Sequence, residues 1–169
     1  MTGFDLSKNA RRVLEARYLR RDAGGEICET PDELVRRVAR GVAHAELLLA
    51  GPAAAERWEE RFRESLARRD FLPNSPTLMN AGTELGQLSA CFVLPVPDTM
   101  EGIFGAVKQM ALIQRSGGGT GFSFSRLRPR GDLIESTGGT TPGPISFLRI
   151  FDSVTENIRQ GGKRRGANM

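Results

Sequence analysis

Apolar residues recur at helical spacing through the first part of the chain. Leu34, Val35, Val38, Val42, Ala45 and Leu48 repeat every three or four positions, the period of a helix with one buried face. Thr30-Pro31-Asp32-Glu33 opens this run with a capping Thr, a Pro suited to the first helical position and a Glu that completes a capping box. Gly51-Pro52 stops it. A second helix is expected over residues 53–69, with Trp58, Phe62 and Leu66 on one face, and a shorter one over 10–21. The rhythm then changes. Phe71-Leu72-Pro73-Asn74-Ser75-Pro76-Thr77 cannot be a helix interior, because its prolines remove donors and restrict the residues before them. Residues 88–96 form a short apolar run that reads as a strand buried on both faces. Asp98-Thr99-Met100-Glu101 resembles a second capping box with Asp98 as the cap, followed by a stripe of Ile103, Phe104, Val107, Met110, Ala111 and Ile113. Gly117-Gly118-Gly119 ends that helix. Residues 121–127 alternate Phe with Ser as a strand does, a loop is expected around Gly138-Gly139, and a last helix over 144–160 turns Ile145, Leu148, Phe151, Val154 and Ile158 inward.

Composition sharpens this division. The chain has 169 residues, 39% hydrophobic and 26% charged, which suits a globular domain. Residues 1–70 carry 14 of the 24 basic and 13 of the 20 acidic residues, while most of the 20 Gly and 9 Pro lie beyond. The expected organisation is a helical region over 1–70 and an α/β region over 71–169. The formal charge of +4 is compatible with phosphate or nucleic-acid ligands without requiring either. No apolar run approaches membrane-spanning length. The first residues lack a basic end followed by an apolar stretch, so a cytoplasmic protein is expected. Cys28 and Cys91 are too few for a disulfide scaffold, and with His44 the sole histidine a zinc site is not expected.

Taken singly, the candidate chemical features are weak. Gly117-Gly118-Gly119-Thr120-Gly121 could cradle an anion with successive N–H groups, but it matches no phosphate-loop spacing and reads more simply as a helix C-cap and loop. Cys91 within an apolar run reads first as a buried structural thiol and only secondarily as a redox group at a strand end. Cys28 and His44 have still plainer structural readings. Arg126, Arg128 and Arg130 would share a face if the strand continued, either as a solvated edge or as a phosphate clamp. Arg159, Lys163, Arg164 and Arg165 lie among glycines without aromatics for base stacking, so nucleic acid is a weak expectation.

Taken together, the segments are specific. Phe71-Leu72-Pro73-Asn74-Ser75-Pro76-Thr77-Leu78-Met79-Asn80-Ala81-Gly82, followed by Leu88-Ser89-Ala90-Cys91-Phe92-Val93-Leu94-Pro95, resembles a hallmark of ribonucleotide reductase catalytic subunits. The run from Gly117 to Arg128 and the ending Gln160-Gly161-Gly162-Lys163-Arg164-Arg165-Gly166-Ala167-Asn168-Met169 resemble the class II, adenosylcobalamin-dependent branch, as do the stretch from Ala10 to Leu19 and Glu29-Thr30-Pro31. The resemblance implies a ten-stranded α/β barrel, of which this chain would hold the helical N-terminal region and the first strands and helices. It implies that Cys91 is one of two cysteines that reduce the ribose, its partner lying downstream. Ser75, Ala90 and Gly117 match positions that hold the substrate nucleotide. Asp98, Thr99 and Met100 match the segment that binds a specificity effector, a deoxynucleoside triphosphate or ATP, with Arg128 as the first candidate for its phosphate contact and Arg126 as the second. The helix over 100–114 would belong to a homodimer interface.

The resemblance further implies a ribonucleotide substrate, a thioredoxin-type reductant, and adenosylcobalamin docked mainly on parts that this chain lacks. No position matches the finger-loop cysteine that becomes the thiyl radical, so the chain alone is expected to be inactive and to need the remainder of the enzyme, as an expressed fragment or as one product of a split or intein-interrupted gene. The class I large subunit is the runner-up, disfavoured because too little chain precedes Phe71 for an extra ATP cone. The rival is a truncated, non-catalytic regulatory module that binds deoxynucleoside triphosphates and dimerises.

Overall fold

The computed structural model describes residues 6–158 and residue 168. Contacts divide the chain after Ser89 into two compact units, 1–89 and 90–169. The division falls later than the compositional shift near residue 70, because the segment after that shift still packs on the helices before it.

The first unit contains α1 (Lys8–Arg17), α2 (Pro31–Ala50), α3 (Pro52–Arg68) and α4 (Ser75–Asn80). The capping box of α2 forms as expected: Glu33 N–H donates to Thr30 Oγ1 at 3.3 Å and Thr30 N–H donates to Glu33 Oε2 at 2.7 Å. These bonds to Thr30 hold the Glu33 carboxyl below its ordinary value. Gly51, at φ +85°, turns the chain from α2 into α3. Leu34, Val35, Val38 and Ala39 of α2 meet Leu66 of α3, Leu19, and Leu78 and Ala81 from the α4 region in one core. The stripe runs out at its end, where Leu48 is 77% exposed. The prolines at 73 and 76 are compatible with a short helix, because Pro76 lies in its first turn and Asn74 caps it through Thr77 N–H at 2.9 Å.

A buried ion pair joins α2 to the residue before its cap, and its guanidinium reaches the α4 region. Arg37 Nε lies 2.6 Å from Glu29 Oε1, with side chains 8% and 5% exposed. The same guanidinium donates to Ala81 O at 2.7 Å and Leu78 O at 3.2 Å. Nearby, a Cβ on Gly41 would stand 2.6 Å from the Gly82 nitrogen, so the helix approaches the α4 exit through the missing side chain.

The second unit contains β1 (Cys91–Pro95), α5 (Met100–Arg115), β2 (Gly119–Ser123), β3 (Leu133–Ile134), β4 (Gly139–Thr140) and α6 (Pro144–Asn157). β1 and β2 pair in parallel, Cys91 opposite Gly119 and Pro95 opposite Ser123, with α5 as the crossover. β3 and β4 form a small antiparallel hairpin where a glycine loop was expected. Val96, Ile103, Ala106, Met110, Leu127 and Phe151 form the core. Phe151 meets Phe122 edge-on at 4.6 Å between centroids and Phe124 at 5.2 Å.

Several local expectations are corrected here. β1 is not covered on both faces within the described residues: Cys91, Val93 and Pro95 are exposed, Val93 at 86%. β2 starts at Gly119 and ends at Ser123, because Leu127 N–H closes a turn onto Phe124 O at 3.0 Å. The alternation of Arg126, Arg128 and Arg130 therefore falls outside the strand and sets no common face. On α5 the buried positions are Ile103, Ala106, Met110 and Gln114, whereas Phe104 is exposed. On α6 only Phe151 is fully buried, while Ile145 and Leu148 are exposed. Among the described residues no helix is long and apolar enough to cross a membrane.

Gln114, fully buried, ties three of these elements to Asn168. Its Nε2 lies 3.1 Å from Thr120 Oγ1, 3.1 Å from Thr155 Oγ1 and 2.8 Å from Asn168 Oδ1. Asn168 also forms a parallel bridge with Thr120 at the β2 edge. Gln114 Oε1 is buried with no partner among the described residues.

Candidate functional site

β1, α5 and β2 form one strand–helix–strand unit, and the sequence-picked groups of the second unit lie at its two ends. At the start of β1, Ala90 O accepts from Gly119 N–H at 2.8 Å, which sets Cys91 beside Gly119. The Cys91 thiol is free and exposed, so it is not the buried structural thiol that the apolar run suggests. Cys28 is also free and exposed. An exposed thiol is accessible to another sulfur, which thiol–disulfide exchange requires.

The glycine run acts as a helix terminus. Gly117, at φ +92°, takes the left-handed conformation that closes α5. Gly117 N–H donates to Gln114 O at 3.0 Å, Gly118 N–H to Ile113 O at 3.1 Å, and Gly119 N–H to Ala90 O. All three donors are engaged by the chain itself, so they form no anion cradle. What Gly117 offers a neighbouring molecule is the absence of a side chain. Ser75 belongs to the first unit, where its hydroxyl lies 3.0 Å from the Tyr18 hydroxyl.

The other end of the unit gathers four of the chosen residues. Asp98, Thr99, Met100 and Arg128 line one open depression of about 670 Å³. Arg126 is exposed and is not among its lining residues. Asp98 is not the cap of α5. Thr99 is, accepting from Gly102 N–H at 3.0 Å. The following turn has no room for a side chain, because a Cβ on Gly102 would stand 2.7 Å from Pro97 Cβ. Released from capping, the Asp98 carboxylate accepts from Arg128 Nε at 2.6 Å. Arg128 Nη1 also donates to Leu133 O at 3.3 Å. The Asp98 contact raises the Arg128 pKa above its already high ordinary value, so the guanidinium stays charged.

The hairpin completes the depression, and the sequence reading missed it. Ile134, Glu135 and Ser136 line the side opposite the α5 terminus. The available signal was Thr137-Gly138-Gly139-Thr140, a turn between short β-prone runs. This cavity joins a permanent cation, a carboxylate that can change partners, hydroxyls and a helix N-terminus, a donor set suited to a phosphorylated sugar. Among the described residues no cluster of His, Cys, Asp and Glu could hold a metal ion. The basic tail, Arg159 to Arg165, lies outside the described residues.

Comparison with known proteins places the two units. The family described as ribonucleotide reductase, all-alpha domain, matches residues 4–86, and that described as ribonucleotide reductase, barrel domain, matches residues 89–169. A vitamin B12-dependent ribonucleoside-diphosphate reductase of Mycobacterium tuberculosis is 52% identical over 97% of this chain and 24% of its own length. That of Thermoplasma acidophilum is 45% identical over 97% of this chain and 28% of its own. The ribonucleoside-diphosphate reductase large subunit of Dictyostelium discoideum is 36% identical over 97% of this chain and 18% of its own. The class Id ribonucleotide reductase alpha subunit of Actinobacillus ureae superposes with a TM-score of 0.76 at 25% identity, covering 99% of this chain and 28% of that one. The chain thus spans about a quarter of the length of these two vitamin B12-dependent relatives.

Proposed function

The chain belongs to the ribonucleotide reductase family, and from that premise we propose that it supplies the all-alpha region and the opening of the barrel of an adenosylcobalamin-dependent enzyme that converts ribonucleotides to deoxyribonucleotides. The observation that carries this reading is the gap in identity: 52% to a vitamin B12-dependent reductase against 36% to a large subunit not so named, each over 97% of the chain.

In this reading Cys91 is one of the two thiols that reduce the ribose. The C2′–OH bond breaks and a C2′–H bond forms. Two thiols lose two electrons and their protons, giving one disulfide and one water. The exposed position of Cys91 at the head of β1 supports this role, as does the neighbouring glycine loop without side chains. Ser75, Ala90 and Gly117 hold the substrate, and a thioredoxin-type dithiol restores the thiols. Asp98, Thr99, Met100 and Arg128 receive the deoxynucleoside triphosphate or ATP effector, supported by their convergence on one cavity. The enzyme acts as a homodimer together with the remainder of its fold.

Adenosylcobalamin supplies the radical that starts this chemistry when bound, but the described residues do not fit a corrin. The aromatic depression beside Phe122 and Phe151 holds only about 360 Å³, the depression at the α5 terminus is open and already crossed by the Asp98–Arg128 pair, and that of the first unit is lined largely by charged side chains. The cofactor is therefore assigned to the rest of the enzyme, and the part proposed for this chain is the thiol of Cys91 and the binding of substrate and effector.

Cys91→Ser in the complete enzyme tests the reading. Multiple turnover with a dithiol or thioredoxin should fall to background while effector binding persists. Sustained turnover by the variant would remove Cys91 from the reaction.

A further inference from the structure

The first unit carries a second depression, of about 810 Å³, whose lining has no part in the function above. Its wall is a ridge of α2. Arg36, Arg40 and His44 follow one another at intervals of four, so they share a face. Arg20 joins them from the segment before α2. The side chains of Arg20, Arg36 and Arg40 make no hydrogen bond or ion pair among the described residues. Like charges at this spacing repel one another; Asp32 precedes Arg36 by four residues but is not part of the lining, and Arg40 has only Arg36 and His44 at that spacing.

The acids nearby are already committed. Glu29 is taken by Arg37 and by Arg20 N–H at 3.0 Å. Glu33 is taken by the Thr30 cap. Glu33 also acts on Arg36 through space, and Glu59, from α3, is left to face the other cations. The floor contains a charged group that is itself more than nine-tenths buried, Arg37 at 8% exposure. Its Nε and Nη2 are filled by Glu29 and Leu78 O, while Nη1 makes one bond, to Ala81 O, and keeps a second hydrogen without an acceptor among the described residues.

We propose that this depression is an anion site for a small molecule bearing two or more phosphates. Guanidinium groups bind phosphate oxygens in pairs, and three without a hydrogen-bonded acid, beside a buried fourth, exceed what Glu59 and the already bonded Glu33 could use. The volume suits a small ligand rather than a macromolecule. The site lies in a different unit from Asp98 and Arg128, so it stands or falls independently of the effector reading.

His44 is the chain's only histidine, so its ring protons report on this cavity without overlap. Titration of the whole chain with inorganic tripolyphosphate, followed by proton NMR at constant ionic strength, should displace the His44 signals saturably. Arg40→Gln should weaken the response about tenfold and Glu59→Gln should strengthen it, whereas Arg128→Gln should leave it unchanged. Both variants near the cavity replace an exposed or half-buried helix residue by a good helix former, so folding is retained, and circular dichroism checks it. No His44 response, an equal response to chloride (an adventitious ion only), or an Arg40→Gln affinity equal to that of the natural chain would each overturn the proposal.

Discussion

Asp98 shows how one side chain can be misassigned when two roles compete for it. Sequence spacing makes it a cap, because Asp is a strong N-cap and an apolar stripe follows. Thr99 takes that role instead, and the carboxylate turns to Arg128. The distinction needs φ and ψ at two adjacent residues, which no periodicity encodes. Cys91 carries a related lesson: its apolar neighbours predict burial, yet as the first residue of β1 it is exposed. Gly41 is a residue whose importance the sequence hides altogether. A single glycine inside a helix looks like a mild defect, but the Gly82 backbone occupies the space of its Cβ. Gly41→Ala is expected to destabilise the first unit by about 1–3 kcal/mol, because backbone cannot step aside as a flexible side chain would. Thermal unfolding of the variant beside the natural chain checks this.

Among elements, the long helices were legible, while α4 and the strand ends were not. The stretch from Thr30 to Gly51 announces its start, its face and its end, and α2 occupies that span. β1 and β2 were placed in the correct segments, but their ends and exposure depend on contacts distant in sequence. Gln114 makes the point. A polar residue directly after a stripe of apolar ones, it is fully buried, with Thr120, Thr155 and Asn168 converging on its amide. The Arg37–Glu29 pair is likewise invisible in a charge-dense helix, where most charges face water. Its burial makes it consequential: Arg37→Met should cost about 3–5 kcal/mol by leaving the Glu29 carboxylate buried and unpaired. The Glu29→Gln/Arg37→Met double variant should recover part of that loss. Urea unfolding of the three chains measures both effects.

For the molecule as a whole, recognition came from several motifs at fixed separation, each of them weak alone. The match of residues 4–86 and 89–169 to consecutive reductase domains follows the same order. The division after Ser89 was not legible, since composition shifts near residue 70, while Leu78 and Ala81 are held by the helices before that shift. Burial, more than charge content, defines where one packing unit stops.

The exposed outer side of β1 has a consequence for how the chain behaves in a crowded solution. Parallel strands normally have neighbours on both sides and cover on both faces. Here Val93 is 86% exposed on a short, flat, apolar strand paired only with β2 among the described residues. Such a strand is a template onto which another extended segment can add itself by backbone bonding. Self-association of the chain should therefore rise steeply with concentration and with time. Val93→Lys should suppress it, since a charge on the strand opposes stacking of identical copies while leaving the β1–β2 pairing intact. Static light scattering across a dilution series, read for both chains, would reveal whether this strand is the nucleus of that association.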